Sequence, residues 1–292
     1  MCDNDDFDEM VKYQRRAPGL SRREFAGLTM GAGLLSLVPA GAYAADTTGA
    51  DVTITTPDGM CDAYFVHPAR GKHPAVLIWP DIFGLRPAFK DMATRLAGSG
   101  YSVLVVNPFY RLQKAPTSPP NADFQDPATR TKLVGQMQSL SPKTVATDAA
   151  AFIPWLDKQK SVDTRRRMAT TGYCMGGPFT MRVAAQFPDR VGAIASFHGA
   201  GLASAAPDSP HLLVPKMKAT ALIAIAASDD KTDPKAKDLL EQAFTAAGLP
   251  HEVEVYTGTA HGWCPTDSHV YDHDAAEKAW SRMLFWFGKA LT

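Results

Sequence analysis

Residues 170–177 read Thr170-Thr171-Gly172-Tyr173-Cys174-Met175-Gly176-Gly177. A cysteine stands two positions after one glycine and two before another, directly behind a run that reads as the end of a strand. Pro178 follows, and the pattern through Gln186 is helical, with proline in the first turn where its missing N–H is harmless. A strand that turns into a helix with almost no spacer strains its central residue. Flanking side chains would strike the strand and the helix, so glycines at 172 and 176 have a steric reason. The pattern G-x-C-x-G is that of a nucleophile elbow with cysteine where serine is commoner. The partial positive end of the helix would face the sulfur. The N–H of Met175 would point at an acyl oxygen bound there. The plainer alternative is a small cysteine buried in a Gly-rich turn.

The surrounding pattern sets this turn in context. Pro57-Asp58-Gly59 reads as the turn of an opening hairpin. Residues 75–79 (AVLIW), 101–106 (YSVLVV), 191–196 and 220–226 (TALIAIA) are continuous apolar runs, as strands covered on both faces are. Residues 252–256 alternate like a strand. Helical stretches fall over residues 87–96, 142–156, 178–186, 234–247 and 275–291, with another preceding residue 142. Strands alternating with helices predict an α/β fold, a mostly parallel sheet with helices on both faces. One domain over residues 46–292 is the simplest division.

In such sheets, functional groups gather beyond the carboxyl ends of the strands. Cys174 follows one predicted strand, the pair Asp229-Asp230 another, and His261 a third. Nucleophile, acid and histidine thus occur in the chain order of one known triad arrangement. Cys61 reads as strand packing, and no elbow surrounds Cys264.

The chain has 292 residues, 45% hydrophobic, with 30 basic and 30 acidic side chains and no formal net charge. No basic stripe supports a nucleic-acid partner. No apolar run reaches the roughly 20 residues of a membrane span. Residues 1–45 read differently. An acidic start leads to Ser21-Arg22-Arg23-Glu24-Phe25, a weakly apolar segment, Pro39, and small residues at Ala42-Tyr43-Ala44. That order resembles a twin-arginine export signal, with the translocase as a partner in transit and a periplasmic or exported location. Without the signal the chain would stay in the cytoplasm. The part after residue 45 keeps Cys61, Cys174 and Cys264, an odd number that leaves at least one thiol unpaired.

Four segments together resemble the dienelactone hydrolases, the cysteine-dependent branch of the α/β-hydrolase superfamily. They are Pro80-Asp81-Ile82-Phe83-Gly84-Leu85, Gly172-Tyr173-Cys174-Met175-Gly176-Gly177, Asp229-Asp230 and Ala260-His261-Gly262-Trp263. The resemblance implies an α/β-hydrolase fold and hydrolysis of an ester or lactone, with no metal or organic cofactor. It implies Cys174 as nucleophile, His261 as general base and acid, and the N–H groups of Met175 and Ile82 as the oxyanion hole. The acid is Asp230 or Asp229; Asp230 is preferred because it precedes Pro234 by the family's spacing. The family's glutamate, which helps deprotonate the thiol, is replaced by Asp81, which could instead cap the turn that follows. Arg111, beside Tyr110, is the candidate clamp for a substrate carboxylate, with a solvated loop charge as the alternative. Trp263 stands near where a second arginine is expected, so a more neutral or bulkier ester is anticipated. A general carboxylesterase and a non-catalytic binding protein on the same fold are the competing readings.

His269 and His273 are four residues apart, but no glutamate follows His269, so a zincin pattern is missing. His198 ends a predicted strand and either lines the mouth of the site or is a structural histidine.

Overall fold

The structure, a computed structural model, describes residues 46–292. The expected export segment, residues 1–45, lies outside the described residues. The opening hairpin forms around Pro57 and Asp58, from β1 (Thr47–Thr56) and β2 (Gly59–Pro68). Then follow β3 (Ala75–Trp79), β4 (Ser102–Val106), β5 (Met168–Tyr173), β6 (Val191–Phe197), β7 (Thr220–Ala226) and β8 (His251–Tyr256). They join one sheet in the order β1-β2-β4-β3-β5-β6-β7-β8. The β1–β2 and β2–β4 pairs are antiparallel, and the pairs from β4 through β3 to β8 are parallel. Every residue of β3, β4, β5 and β6 is buried. The continuous apolar runs therefore have the expected cause: helices cover both faces and no alternation is needed.

The helices are α1 (Pro87–Gly98), α2 (Pro127–Gln138), α3 (Pro142–Asp157), α4 (Gly177–Gln186), α5 (Ala227–Thr232), α6 (Ala236–Ala246) and α7 (His273–Ala290). Phe89 and Leu96 of α1 share one apolar layer with Met283 and Phe287 of α7. Phe152 of α3, Met181 of α4 and Phe244 of α6 lie in the layer on the other face. Local chemistry starts several of these helices. Asp126 caps α2 by accepting from the Thr129 N–H, Ser141 and Thr144 make a reciprocal capping box on α3, and Asp272 caps α7. The segment after β7 departs from expectation. It holds the short α5 before α6, and the break falls at Asp233, whose φ of −130° and ψ of 79° are those imposed by the following Pro234. Asp229 and Asp230 thus ride on a helical turn rather than a loop.

Strand β3 is the point where the sheet changes direction: β4 lies on one side and β5 on the other. The loop leaving β3 and the turn leaving β5 diverge, and a crevice opens at their carboxyl ends. The turn after β5 presses on the end of β3. A Cβ on Gly176 would meet the Trp79 carbonyl oxygen at 2.3 Å, and one on Gly172 would meet the Gly176 carbonyl oxygen at 2.0 Å. Both obstacles are backbone atoms that cannot rotate away. Gly176→Ala should therefore cost about 3 kcal/mol or more, in the upper range of overpacking. Thermal unfolding of the variant checks it, and an unchanged midpoint would refute the tight fit.

Candidate active site

Cys174 begins a single 3-10 turn, Cys174–Gly176, between β5 and α4. Its φ is +52°, in the left-handed region that residues with a Cβ seldom occupy. Strain of this kind persists only where the surroundings impose it, and here the imposing contacts are those of Gly172 and Gly176. The residue is 5% exposed and packs with Phe109 and Met175, flanked by the half-buried Met137, Leu140 and Phe179. Ile82, in the loop after β3, is also buried, among Phe124, Leu133, Phe83, Val134 and again Met137. Its backbone N–H has no hydrogen-bond partner among the described residues.

His261 follows β8 and is buried. Its Nδ1 lies 3.0 Å from each carboxylate oxygen of Asp229. The Cys174 sulfur also acts on the ring electrostatically. Burial opposes a charge on the ring, but the Asp229 carboxylate and the Cys174 sulfur outweigh it and push the His261 pKa well above its ordinary value. The backbone is fixed as well. The His261 N–H donates to Ser228 Oγ at 2.8 Å, and the Ser228 N–H donates to the Thr259 carbonyl at 3.2 Å. The hydroxyl of Ser228 therefore ties the loop carrying the imidazole to the turn carrying its carboxylate. Ser228 belongs to no motif; its one signal in the sequence is its place directly before the aspartate pair.

Asp230, the preferred acid, is corrected. Its carboxylate is turned to Lys237 of α6, with Oδ1 2.6 Å from Nζ, while Asp229 faces the imidazole. Adjacent residues on a helical turn point about 100° apart, so only one of the two can face His261.

Asp81 takes the capping role. Its Oδ1 accepts the Phe83 N–H at 2.9 Å, and its two oxygens accept from Arg86 Nη1 and Nη2 at 2.6 and 2.9 Å. The expectation that it acts on the thiol is corrected accordingly: the carboxylate is occupied by Arg86. Arg86 also binds both oxygens of Asp267, at 2.7 and 3.0 Å, in the loop after His261. This one guanidinium joins the loop that carries Ile82 to the loop that follows the histidine.

The expected substrate contacts are corrected too. Arg111 is held between Asp148, at 2.6 and 2.9 Å, and Asp58, at 2.6 and 3.0 Å. The Tyr110 hydroxyl donates to Asp148 at 2.7 Å and meets Thr56 Oγ1 at 2.7 Å. The pair ties the β1–β2 turn to α3, and two carboxylates already neutralise the guanidinium. Trp263 is wholly buried and stacks on Tyr256 with ring centroids 4.7 Å apart. Cys61 and Cys264 are buried free thiols whose pKa values burial pushes up, as packing residues would show. A cavity of about 130 Å³ between α1 and α7 has Tyr173 and Phe197 in its lining, but neither Cys174 nor His261. Among the described residues, no group of three or more His, Cys, Asp or Glu side chains is arranged to hold a metal. No described helix is long and apolar enough to cross a membrane.

The carboxyl edge of the sheet thus assembles a strained cysteine, a histidine whose charged form is favoured, and a carboxylate in line behind it. Comparison with known proteins agrees with this architecture. The chain is 27% identical to a protein of Methylorubrum extorquens named putative carboxymethylenebutenolidase, over 96% of this chain and 97% of that one. It is 25% identical to a carboxymethylenebutenolidase of Rhodococcus opacus, over 76% of this chain and 83% of the relative. A crystal structure titled putative dienelactone hydrolase, from Klebsiella pneumoniae, shares the fold with a TM-score of 0.71 at 24% identity, covering 84% of this chain and 99% of its own. The sequence profile of the dienelactone hydrolase family matches residues 61–291. With a match over so much of its length, the chain belongs to the dienelactone hydrolase family, a family of hydrolases on the α/β-hydrolase fold.

Proposed function

We propose that the protein hydrolyses uncharged, apolar esters or lactones through a thioester on Cys174, with His261 and Asp229 completing the triad. The observation that carries this reading is the contact chain from Asp229 through the buried ring of His261 to Cys174 on its strained turn. The thiolate adds to the substrate carbonyl while the imidazolium keeps the proton. The N–H groups of Met175 and Ile82 receive the oxygen as it gains negative charge. The tetrahedral adduct then collapses: the carbon–oxygen bond to the leaving group breaks, and His261 gives its proton to the departing alkoxide. Water, deprotonated by His261, adds to the thioester. The second adduct expels the thiolate, releases the acid and restores the starting protonation. A lactone follows the same steps, its leaving alcohol staying attached to the acid product.

Two observations favour an uncharged substrate. The side chains around Cys174 and Ile82 are apolar, and Met137 belongs to both groups. The guanidinium groups of Arg111 and Arg86 are each held by two carboxylates, so neither is a ready clamp for an acid. The relatives' name refers to a lactone that carries a carboxylate, and the paired arginines are the reason to favour neutral esters here. The proposal also places the enzyme outside the cytoplasm, exported by a translocase that reads Arg22 and Arg23.

Cys174→Ala should lower kcat/KM for p-nitrophenyl acetate by about 10³-fold or more; turnover that survives the substitution defeats the thioester reading. Asp229→Asn should lower kcat by about 10²–10⁴-fold, whereas Asp230→Asn should stay within about threefold, because its partner is a half-buried lysine that turns it away from His261. Equal losses in the two variants would contradict the assignment of the acid. The His261–Asp229 pair predicts a pH dependence of stability. The folded-state pKa of His261 is raised, so the stabilisation is fully present below its unfolded value of about 6.5 and is lost as pH rises through the folded value. The difference in unfolding midpoint between wild type and Asp229→Asn should be largest at about pH 5–6.5 and shrink on the alkaline side; a gap that widens with pH would reverse the sign. Met137→Ala should raise the ratio of kcat/KM for p-nitrophenyl octanoate over acetate by about tenfold. An unaltered ratio would show that Met137 does not border the acyl group.

A further inference from the structure

His198 stands at the carboxyl end of β6, the strand between the one that ends at Cys174 and the one that leads to Asp229. Its backbone N–H donates to the Ala224 carbonyl at 2.8 Å, and its φ is +40°, a second left-handed residue at this edge of the sheet. The side chain is completely buried, and among the described residues neither ring nitrogen has a hydrogen-bond partner. Burying both nitrogens unpaired costs stability that an apolar residue in the same slot would not. The surroundings suggest what is gained. The ring meets His261 edge to face, with centroids 5.0 Å apart and planes at 68°. Behind it stand Tyr173, at 6.1 Å, and Trp263, at 6.2 Å.

The polar groups that face His261 are Asp229 on α5, Cys174 on the elbow and His198 beyond β6. The first two favour the imidazolium, and a second cation beside it would oppose it. His198 is held neutral by burial first and then by the charge on His261. A planar, uncharged side chain in that place supports the imidazole sterically without competing for its proton.

We propose that His198 is a positioning residue for His261: its ring, wedged between the nucleophile and acid strands, fixes the plane in which His261 faces Asp229 on one side and Cys174 on the other. The proposal rests on the Cys174–His261 chemistry above and adds to it the residue that orients the histidine. It differs from general packing in its consequence. Loss of the wedge frees the ring to rotate, weakens the thiolate–imidazolium pair and moves thiolate formation to higher pH.

The test uses the full chain and its His198→Ala and His198→Gln variants. Steady-state hydrolysis of p-nitrophenyl acetate is measured against pH, and the ultraviolet absorbance of the thiolate is titrated in parallel. In His198→Ala, kcat should fall about 10–100-fold with KM within about threefold. The acid limb of the rate profile and the absorbance midpoint should both rise by about one pH unit. Glutamine is neutral and close to histidine in volume, and His198→Gln should recover kcat to within about fivefold of wild type. If His198→Ala does not fold, His198→Gly, which removes the ring and suits a φ of +40°, takes its place with the same expected losses. A lowered unfolding midpoint with an unmoved absorbance midpoint would reduce His198 to packing and overturn the proposal, as would a folded glutamine variant no better than alanine. Failure of the wild type to cleave any ester would instead defeat the proposed function, and the absorbance titration would still decide the role of His198.

Discussion

The turn after β5 touches the end of β3 so closely that Gly176 has no room for a side chain, and it folds back so tightly on β5 that Gly172 has none either. Everything at the site depends on that contact. It holds Cys174 at a φ of +52° and sets the start of the loop after β3, at Trp79 and Pro80, against the turn that carries the sulfur. Without it, the chain could relax Cys174 into an ordinary helical or extended conformation and withdraw the thiol from the crevice. Rigidity here comes from packing of backbone on backbone, the least adjustable contact a fold can make.

Charge then determines which of the assembled groups can act. Four carboxylates lie at or behind the site, and each has a different partner. Asp229 has an imidazole, Asp230 a lysine, Asp81 an arginine and Asp148 an arginine with a tyrosine. Only the first pairing involves a group that can exchange a proton near neutral pH. The arginine pairs bind loops to one another and remain charged across the working range. Arg86 between Asp81 and Asp267, and Arg111 between Asp148 and Asp58, are thus structural ties. Ser228 does the same on a smaller scale, with one hydroxyl joining the histidine loop to the aspartate turn. Such an arrangement holds the Asp229–His261 pair in place, while the neighbours of the Cys174 sulfur are apolar.

The sequence alone determined the α/β fold class, the place of the elbow and the chain order of cysteine, acidic pair and histidine. These are local matters. A continuous apolar run requires cover on both sides, and a cysteine framed by glycines requires a turn without side chains around it. The sequence could not choose between Asp229 and Asp230, because direction on a helical turn depends on how that turn is docked, and the break after it at Asp233 is shaped by Pro234. Only the tertiary structure decided the partners of Asp81, Arg111, Tyr110 and Trp263, since each contact joins segments far apart in the chain. It alone revealed His198 against His261, two residues 63 positions apart whose meeting follows from the adjacency of β6, β7 and β8 in the sheet.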